Sequence, residues 1–396
     1  MVSRYKLLIN TIFFGFFCAF IGKFSFSGLN FLNSFCILSI FSVSILINSE
    51  YFIRKNFINK KIVLLSALFI IFFLWNFISS LVNNNLWDPG SYTIFIILVA
   101  TSVFIASAIS GINNSKSQIY DVRCRSIFTF FLIAQIPLYL TPYLFYGDDL
   151  INKNNIGMIF FSYISITLYF NLFSFGKRHS FFLVLIYLIA LFFISSRTSI
   201  IGIFILLFYY FFHSFITKNR VIYCLSFIGL ALTSFFSVTL IAFSSTSQIL
   251  IKLNQASIDL FNKRILSGRD VMWPKLIAVI NDNPFFGVGP SVNPGQVTGS
   301  GLSAHNIFLQ IALQSGYIGL AFFLALLFFI WFYLYDLKNT DKGKAVISIF
   351  SGVVIINTFE STLTQNNFVY GLIFWVITGL ALGEAIRARR GTLLNH

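Results

Sequence analysis

Apolar runs long enough to cross a bilayer recur along the whole chain, and they limit its fold more than any other feature. A helix needs about 20 mostly apolar residues to cross a hydrocarbon core of about 30 Å, and inside lipid only helices and closed barrels satisfy their own backbone. Such runs fall near residues 7–23, 31–48, 62–82, 92–110, 126–146, 156–174, 180–195, 198–216, 221–244, 305–335, 345–362 and 367–386. They predict an all-α, polytopic transmembrane helical bundle of about 12 uninterrupted spans. The run 180–195 is short and reads as one arm of a hairpin around Ser195-Ser196-Arg197. The run 305–335 exceeds what a bilayer needs, so its first two turns stand proud of the membrane or the helix tilts.

A net charge of +15 raises the question of nucleic acid, but the distribution of the charge excludes it as a partner. With the N-terminus in the cytoplasm, the clusters Arg54-Lys55, Lys60-Lys61, Lys177-Arg178, Lys218 with Arg220, Lys338 to Lys344 and Arg387 to Arg390 all fall inside. The even number of spans then puts both termini inside, and the basicity sets orientation. Cys18, Cys36 and Cys224 lie in spans and Cys124 in an inner loop, which suggests neither a disulfide framework nor a zinc site. The first run lacks a small-residue cleavage site and reads as a retained span. Residues 1–396 therefore read as a single integral membrane domain, interrupted only by an outer loop at 245–304, between spans nine and ten.

That loop has internal order. Gln248 to Ile265 places Ile251, Ile258, Phe261 and Ile265 on one helical face, fit to lie on the bilayer or to roof the spans. Ser267 reads as the cap of a second helix with Asp270 three residues on, which puts Arg269 in a first turn whose free N–H groups favour an anion. Pro274 is expected to kink or restart that helix, and Asn281 to Pro290 to end it in a tight turn. Ser291 to Ser303 reads as a mobile lid or a plain spacer.

Besides Arg269, three cationic or titratable residues fall on this outer side. Of four histidines, His179, His213 and His396 lie elsewhere; His305 alone joins the large loop to a span, where an imidazole can do acid–base chemistry on a lipid-borne substrate. Arg197 sits between two apolar runs on the side where arginine is disfavoured, with hydroxyls from Ser196 and Thr198 beside it. It reads as an anion site, or as a side chain snorkelling to lipid phosphate. Glu360 reads as a second base, an acceptor-binding carboxylate, or an interfacial residue facing water. Asp270 and Asp282 form no DxD pair, and no phosphate-binding Gly-rich loop is present, so neither a metal nor a nucleotide cofactor is expected.

His305-Asn306, nine residues, Gly316, two residues and Gly319 resemble the H-[NSQ]-x9-G-x-x-[GT] pattern of the O-antigen ligase/polymerase superfamily. Ser196-Arg197 resembles its S-R signature, and Arg269 with Trp273 followed by Asn283-Pro284-Phe-Phe-Gly287-Val-Gly289 resembles its R…W…NP…G.G stretch. The resemblance implies a metal-independent, inverting glycosyltransferase of the bacterial inner membrane with a periplasmic site. Its donor would be a glycan on undecaprenyl pyrophosphate, and its acceptor lipid A–core for a ligase or a second lipid-linked repeat unit for a polymerase. Arg197 and Arg269 would hold the pyrophosphate and His305 would assist the acceptor hydroxyl, with Asn306, Ser196, Trp273 and Glu360 as further substrate-binding candidates. One dominant outer loop favours the ligase over the polymerase. A lipid-glycan transporter is disfavoured because the spans read as clean and the polar residues collect at one face.

Overall fold

The structure, a computed structural model of the chain, describes residues 10–11, 31–53, 59–86, 88, 92–113, 153–170, 185–191, 196–242, 248–261, 268–299, 303–365 and 368–393. Among the described residues all regular structure is helical. In chain order the helices are α1 (Phe31–Ile53), α2 (Lys60–Val82), α3 (Tyr92–Asn113), α4 (Lys153–Phe170), α5 (Arg197–Phe211), α6 (His213–Ile216), α7 (Arg220–Ala242), α8 (Gln248–Phe261), α9 (Arg269–Asp282), α10 (Pro294–Thr298), α11 (Ile307–Leu334), α12 (Asp341–Asn357) and α13 (Phe368–Leu393).

Six of these, α1, α2, α3, α7, α11 and α13, are long and apolar enough to cross a membrane. Helices α4, α5 and α12 occupy three more of the expected runs. The run 126–146 lies outside the described residues, as does nearly all of 7–23, and of 180–195 only residues 185–191 are described before Ser196. Two boundaries are corrected. The run 198–216 is broken at Phe212, where α5 gives way to the single turn of α6. The run 345–362 is helical only to Asn357, whose Oδ1 accepts from Thr362 N at 2.9 Å and Thr362 Oγ1 at 3.2 Å. That closes residues 358–365 into an irregular, largely buried loop, which at membrane depth is tolerated only inside protein.

Small residues bring the helices together. Lipid tails are as apolar as leucine, so helices in a bilayer associate by close packing rather than by escape from water. The apolar window of α13 is wholly buried, making it a central helix, and its Gly379-x-x-x-Gly383 rests on α3. A Cβ at Gly383 would stand 2.1 Å from the Ala108 carbonyl oxygen. At one end of the bundle Asp336, just after α11, takes ion pairs from Lys61 and Arg389, with Arg220 at 3.8 Å. Three of the basic clusters that the charge pattern assigns to one side thus meet at one buried carboxylate.

Helix α11 runs from the opposite end towards Asp336, and it is not the uninterrupted span expected from sequence. Ser315 (φ −131°, ψ 15°) and Gly316 (φ 69°, ψ −177°) break it after eight residues. The loop after α9 fills the break. Val288 N and Gly289 N donate to the Leu313 and Gln314 carbonyls at 2.8 and 3.0 Å, Trp75 Nε1 donates to Ser315 O at 2.9 Å, and Tyr317 N donates to Pro284 O at 2.7 Å. The approach is backbone to backbone, so side chains are excluded on both sides. A Cβ at Gly316 would lie 2.1 Å from Phe285 O, and one at Gly287 (φ 66°) would lie 2.4 Å from Leu313 O. The first two turns of α11 are thereby set apart from the span behind them.

Gly316→Ala combines a left-handed φ with a backbone clash and is expected to cost about 2–4 kcal/mol. Gly229→Ala in α7, where an added Cβ meets nothing within 4 Å, is expected to be neutral. Thermal unfolding of both variants in detergent checks the pair; equal midpoints would mean that the joint carries no strain.

Candidate active site

Four segments distant in sequence converge at the end of the bundle opposite Asp336. The first is α9. Its N-cap is Gly268, in the left-handed region at φ 81°, with no side-chain cap bond. Ser267, expected as the cap, lies outside the described residues and the capping position falls one residue later. Pro274 sits within α9, which continues through it to Asp282 instead of restarting there. Its ring lies in the second turn and removes the N–H that would bond the Asp270 carbonyl, so α9 forgoes one intrahelical bond there. Met272, Trp273, Leu276 and Ile280 are buried in one cluster with Leu309, Ala312 and Leu313 of α11. The Trp273 indole is fully buried and its Nε1 donates to Ala304 O at 2.9 Å. This fixes the residue that precedes His305 and aims the head of α9 at it.

His305 has φ 46°, rare outside glycine and a known mark of strained functional positions. Asn306 then caps α11. Its Oδ1 accepts from Leu309 N at 2.8 Å while its Nδ2 donates to Thr358 O at 2.8 Å. Clamped between Ala304 and Asn306, the imidazole turns to Glu360, with Nδ1 3.2 Å from Glu360 Oε2. A carboxylate on Nδ1 favours the tautomer whose lone pair is on Nε2. Nε2 has no hydrogen-bond partner among the described residues, and the side chain is 36% exposed, so a ligand can reach it.

Arg269 reaches the same short loop. Its guanidinium donates through Nη2 to Phe359 O at 3.0 Å and lies 5.8 Å from the Phe359 ring. Thr358, Phe359 and Glu360 thus receive Asn306, Arg269 and His305 in turn. Burial pushes the Arg269 guanidinium below its usual range; the Glu360 carboxylate opposes this, and the Arg197 charge adds to it. Arg197 is therefore near enough to act on Arg269. It is the exposed first residue of α5, in a helical first turn. Arg269 Nε and Glu360 Oε1 are buried without hydrogen-bond partners among the described residues. Arg269 thus keeps one donor unspent beside a second guanidinium, an arrangement whose charge and geometry suit an anion.

Of the residues singled out from sequence, Arg269, His305, Asn306 and Glu360 meet on one loop, with Arg197 alongside. Ser196 stands behind them: it is buried, its Oγ donates to Ser199 Oγ at 3.2 Å, and it packs on Gly157 of α4. Asn306 and Trp273 are fully buried, with their polar atoms committed to protein. The His305–Glu360 pairing bridges 55 residues and was not legible in the sequence. The only signal was a lone acid in an otherwise apolar and hydroxyl-rich stretch.

A helical membrane bundle with a histidine–carboxylate pair and two arginines at one end defines the class. Residues 182–324 match the family model described as O-Antigen ligase, which supports a likeness to the O-antigen ligase-like superfamily over that stretch. The match includes Arg197, Arg269 and His305 and stops short of Glu360. No curated protein and no solved structure matches the chain.

Because Arg269 is a desolvated cation beside another, Arg269→Met is expected to leave the substrate-free thermal midpoint unchanged or raised. Asn306→Ala, which removes a cap and a bond to Thr358, should lower stability by about 1–2 kcal/mol. Melting curves for both in detergent test this; a matching drop would make Arg269 a structural residue.

Proposed function

We propose that the protein is a glycosyltransferase that moves a glycan from undecaprenyl pyrophosphate to an acceptor hydroxyl at the periplasmic face of the bacterial inner membrane. The observation that carries this is the convergence of His305, Arg269 and Asn306 on Thr358–Glu360, with Arg197 in electrostatic reach. The positions named by the resemblance lie together although they come from distant segments.

In this mechanism Arg197 and Arg269 bind the donor pyrophosphate. The acceptor hydroxyl approaches the anomeric carbon from the side opposite the leaving group, and His305 Nε2 takes its proton as the new C–O bond forms. The bond from the anomeric carbon to the phosphate oxygen breaks, and its electron pair leaves on undecaprenyl pyrophosphate. Inversion follows from this single displacement. The guanidiniums stabilise the negative charge that grows on the leaving group and serve where other transferases use a divalent ion. Glu360 orients the imidazole and stabilises its protonated form, as the acid of a Ser-His-Asp triad does. Asn306 and Trp273 position His305 from either side, which sets the near-attack geometry.

The sequence reading of one dominant outer loop, at residues 245–304, supports an O-antigen ligase, with lipid A–core as acceptor. The break in α11 offers little to a transport reading. Its freed carbonyls are taken by Val288, Gly289 and Trp75 rather than left to an ion.

Deleting the gene and displaying lipopolysaccharide on a gel tests the assignment. A ligase deletion leaves core without O-chain, a polymerase deletion leaves core carrying one repeat, and an unchanged ladder removes both readings. In complementation, His305→Ala should lower transfer about 10²–10⁴-fold and Arg269→Ala about 10²–10³-fold while the protein still inserts. Glu360→Gln should fall between these losses and wild type. Full transfer by both alanine variants would overturn the site.

A further inference from the structure

A cavity of about 450 Å³ lies on the flank of α11 turned away from α9. It is within the range of about 300–1,000 Å³ found for small-ligand sites. Its walls include Tyr92 and Thr93 at the head of α3, the loop carrying Ser291 and Asn293, and the glutamines Gln310, Gln314 and Gln365. Leu309, Ala312 and Leu313 face α9, so Gln310 and Gln314 project roughly 120° around the helix from that contact. Ser303 and Gln310, which bracket His305 in sequence, both line the cavity.

The glutamines differ in their hydrogen bonds. Gln314 Nε2 donates to Pro290 O at 2.9 Å and Val292 O at 3.2 Å. Gln365 Nε2 donates to Gln314 Oε1 and to Thr93 Oγ1, the latter at 3.2 Å. These two fasten the walls. Gln310 is 1% exposed, and among the described residues neither its Oε1 nor its Nε2 has a hydrogen-bond partner. A buried carboxamide left unpaired on both atoms is costly unless something supplies a donor and an acceptor together.

We infer that this cavity binds neutral sugar residues of a glycolipid substrate, with Gln310 as the residue that reads a hydroxyl pair. A carboxamide offers one acceptor and two donors, which suits adjacent hydroxyls that both donate and accept. Half-exposed Tyr92 supplies an aromatic face for the apolar side of a sugar ring. Among the described residues the lining carries one carboxylate, Asp88, and no basic side chain, so it disfavours phosphate and acidic sugars. Phosphate chemistry thus falls to the arginines and sugar recognition to this flank, with His305 at the junction. The inference rests on the glycosyltransferase reading, but binding can be measured without transfer.

The test uses the purified full chain in detergent and isothermal titration with three probes. Two are lipid-free oligosaccharides released from the parent strain's lipopolysaccharide, the O-chain repeat and the core. The third is inorganic pyrophosphate. Wild type should bind at least one saccharide; O-chain binding points to the donor glycan and core binding to the acceptor. Gln310→Leu should weaken that binding at least about ten-fold, because a site built around a hydroxyl pair loses its partner groups, and should leave pyrophosphate binding unchanged. Tyr92→Ala, at the half-exposed rim, should weaken it about three-fold and keeps the test decisive if Gln310→Leu fails to fold. No saccharide binding by wild type, or undiminished binding by the variants, overturns the inference. Saccharide binding in a protein whose deletion leaves the lipopolysaccharide ladder unchanged would instead remove the transferase reading alone.

Discussion

The joint between the broken helix α11 and the loop after α9 holds the candidate site in place. A helix that breaks at Ser315–Gly316 inside a membrane bundle leaves carbonyls that water cannot reach, and each must find a donor in the protein. Val288, Gly289 and Trp75 supply those donors. In return the loop is locked to α11, and with it α9, whose first residue is Arg269. The same joint separates the first two turns of α11, so that Asn306 and His305 can turn towards the 358–360 loop. Break, loop and site are one construction.

This explains in physical terms why the motif residues occur at their spacings. Gly316 and Gly287 face each other across a contact with no room for a Cβ. Trp273 holds Ala304, and Asn306 holds Thr358. The side chains that the proposed function assigns to a ligand are fewer: His305, Arg269, Arg197 and, in the neighbouring cavity, Gln310. Most of the recognisable pattern is scaffolding.

Charge is distributed with the same economy. At one end of the bundle three cations close on the single buried carboxylate of Asp336. At the other end Arg269 is desolvated, repelled by Arg197 and only partly offset by Glu360. The first arrangement is complete in itself and stabilises the ends of α2, α11 and α13. The second leaves positive charge to be offset, which is what the proposed pyrophosphate site would require.

The membrane class, the segregation of basic clusters and the identity of Arg197, Arg269, His305 and Glu360 as the residues to watch were all readable along the chain. Hydrocarbon length and the positive-inside bias are local sums over consecutive residues, and an ionisable side chain beside an apolar run stands out in any register. The break in α11, the early end of α12 at Asn357, the cap at Gly268 and the pairing of His305 with Glu360 were not readable. Each depends on which distant backbone or side chain arrives to satisfy a polar group, and hydropathy carries no information about partners. Gln310 is the extreme case: in sequence it is one more polar residue in a helix, and only the packed bundle shows its carboxamide buried, unpaired and on the wall of a cavity.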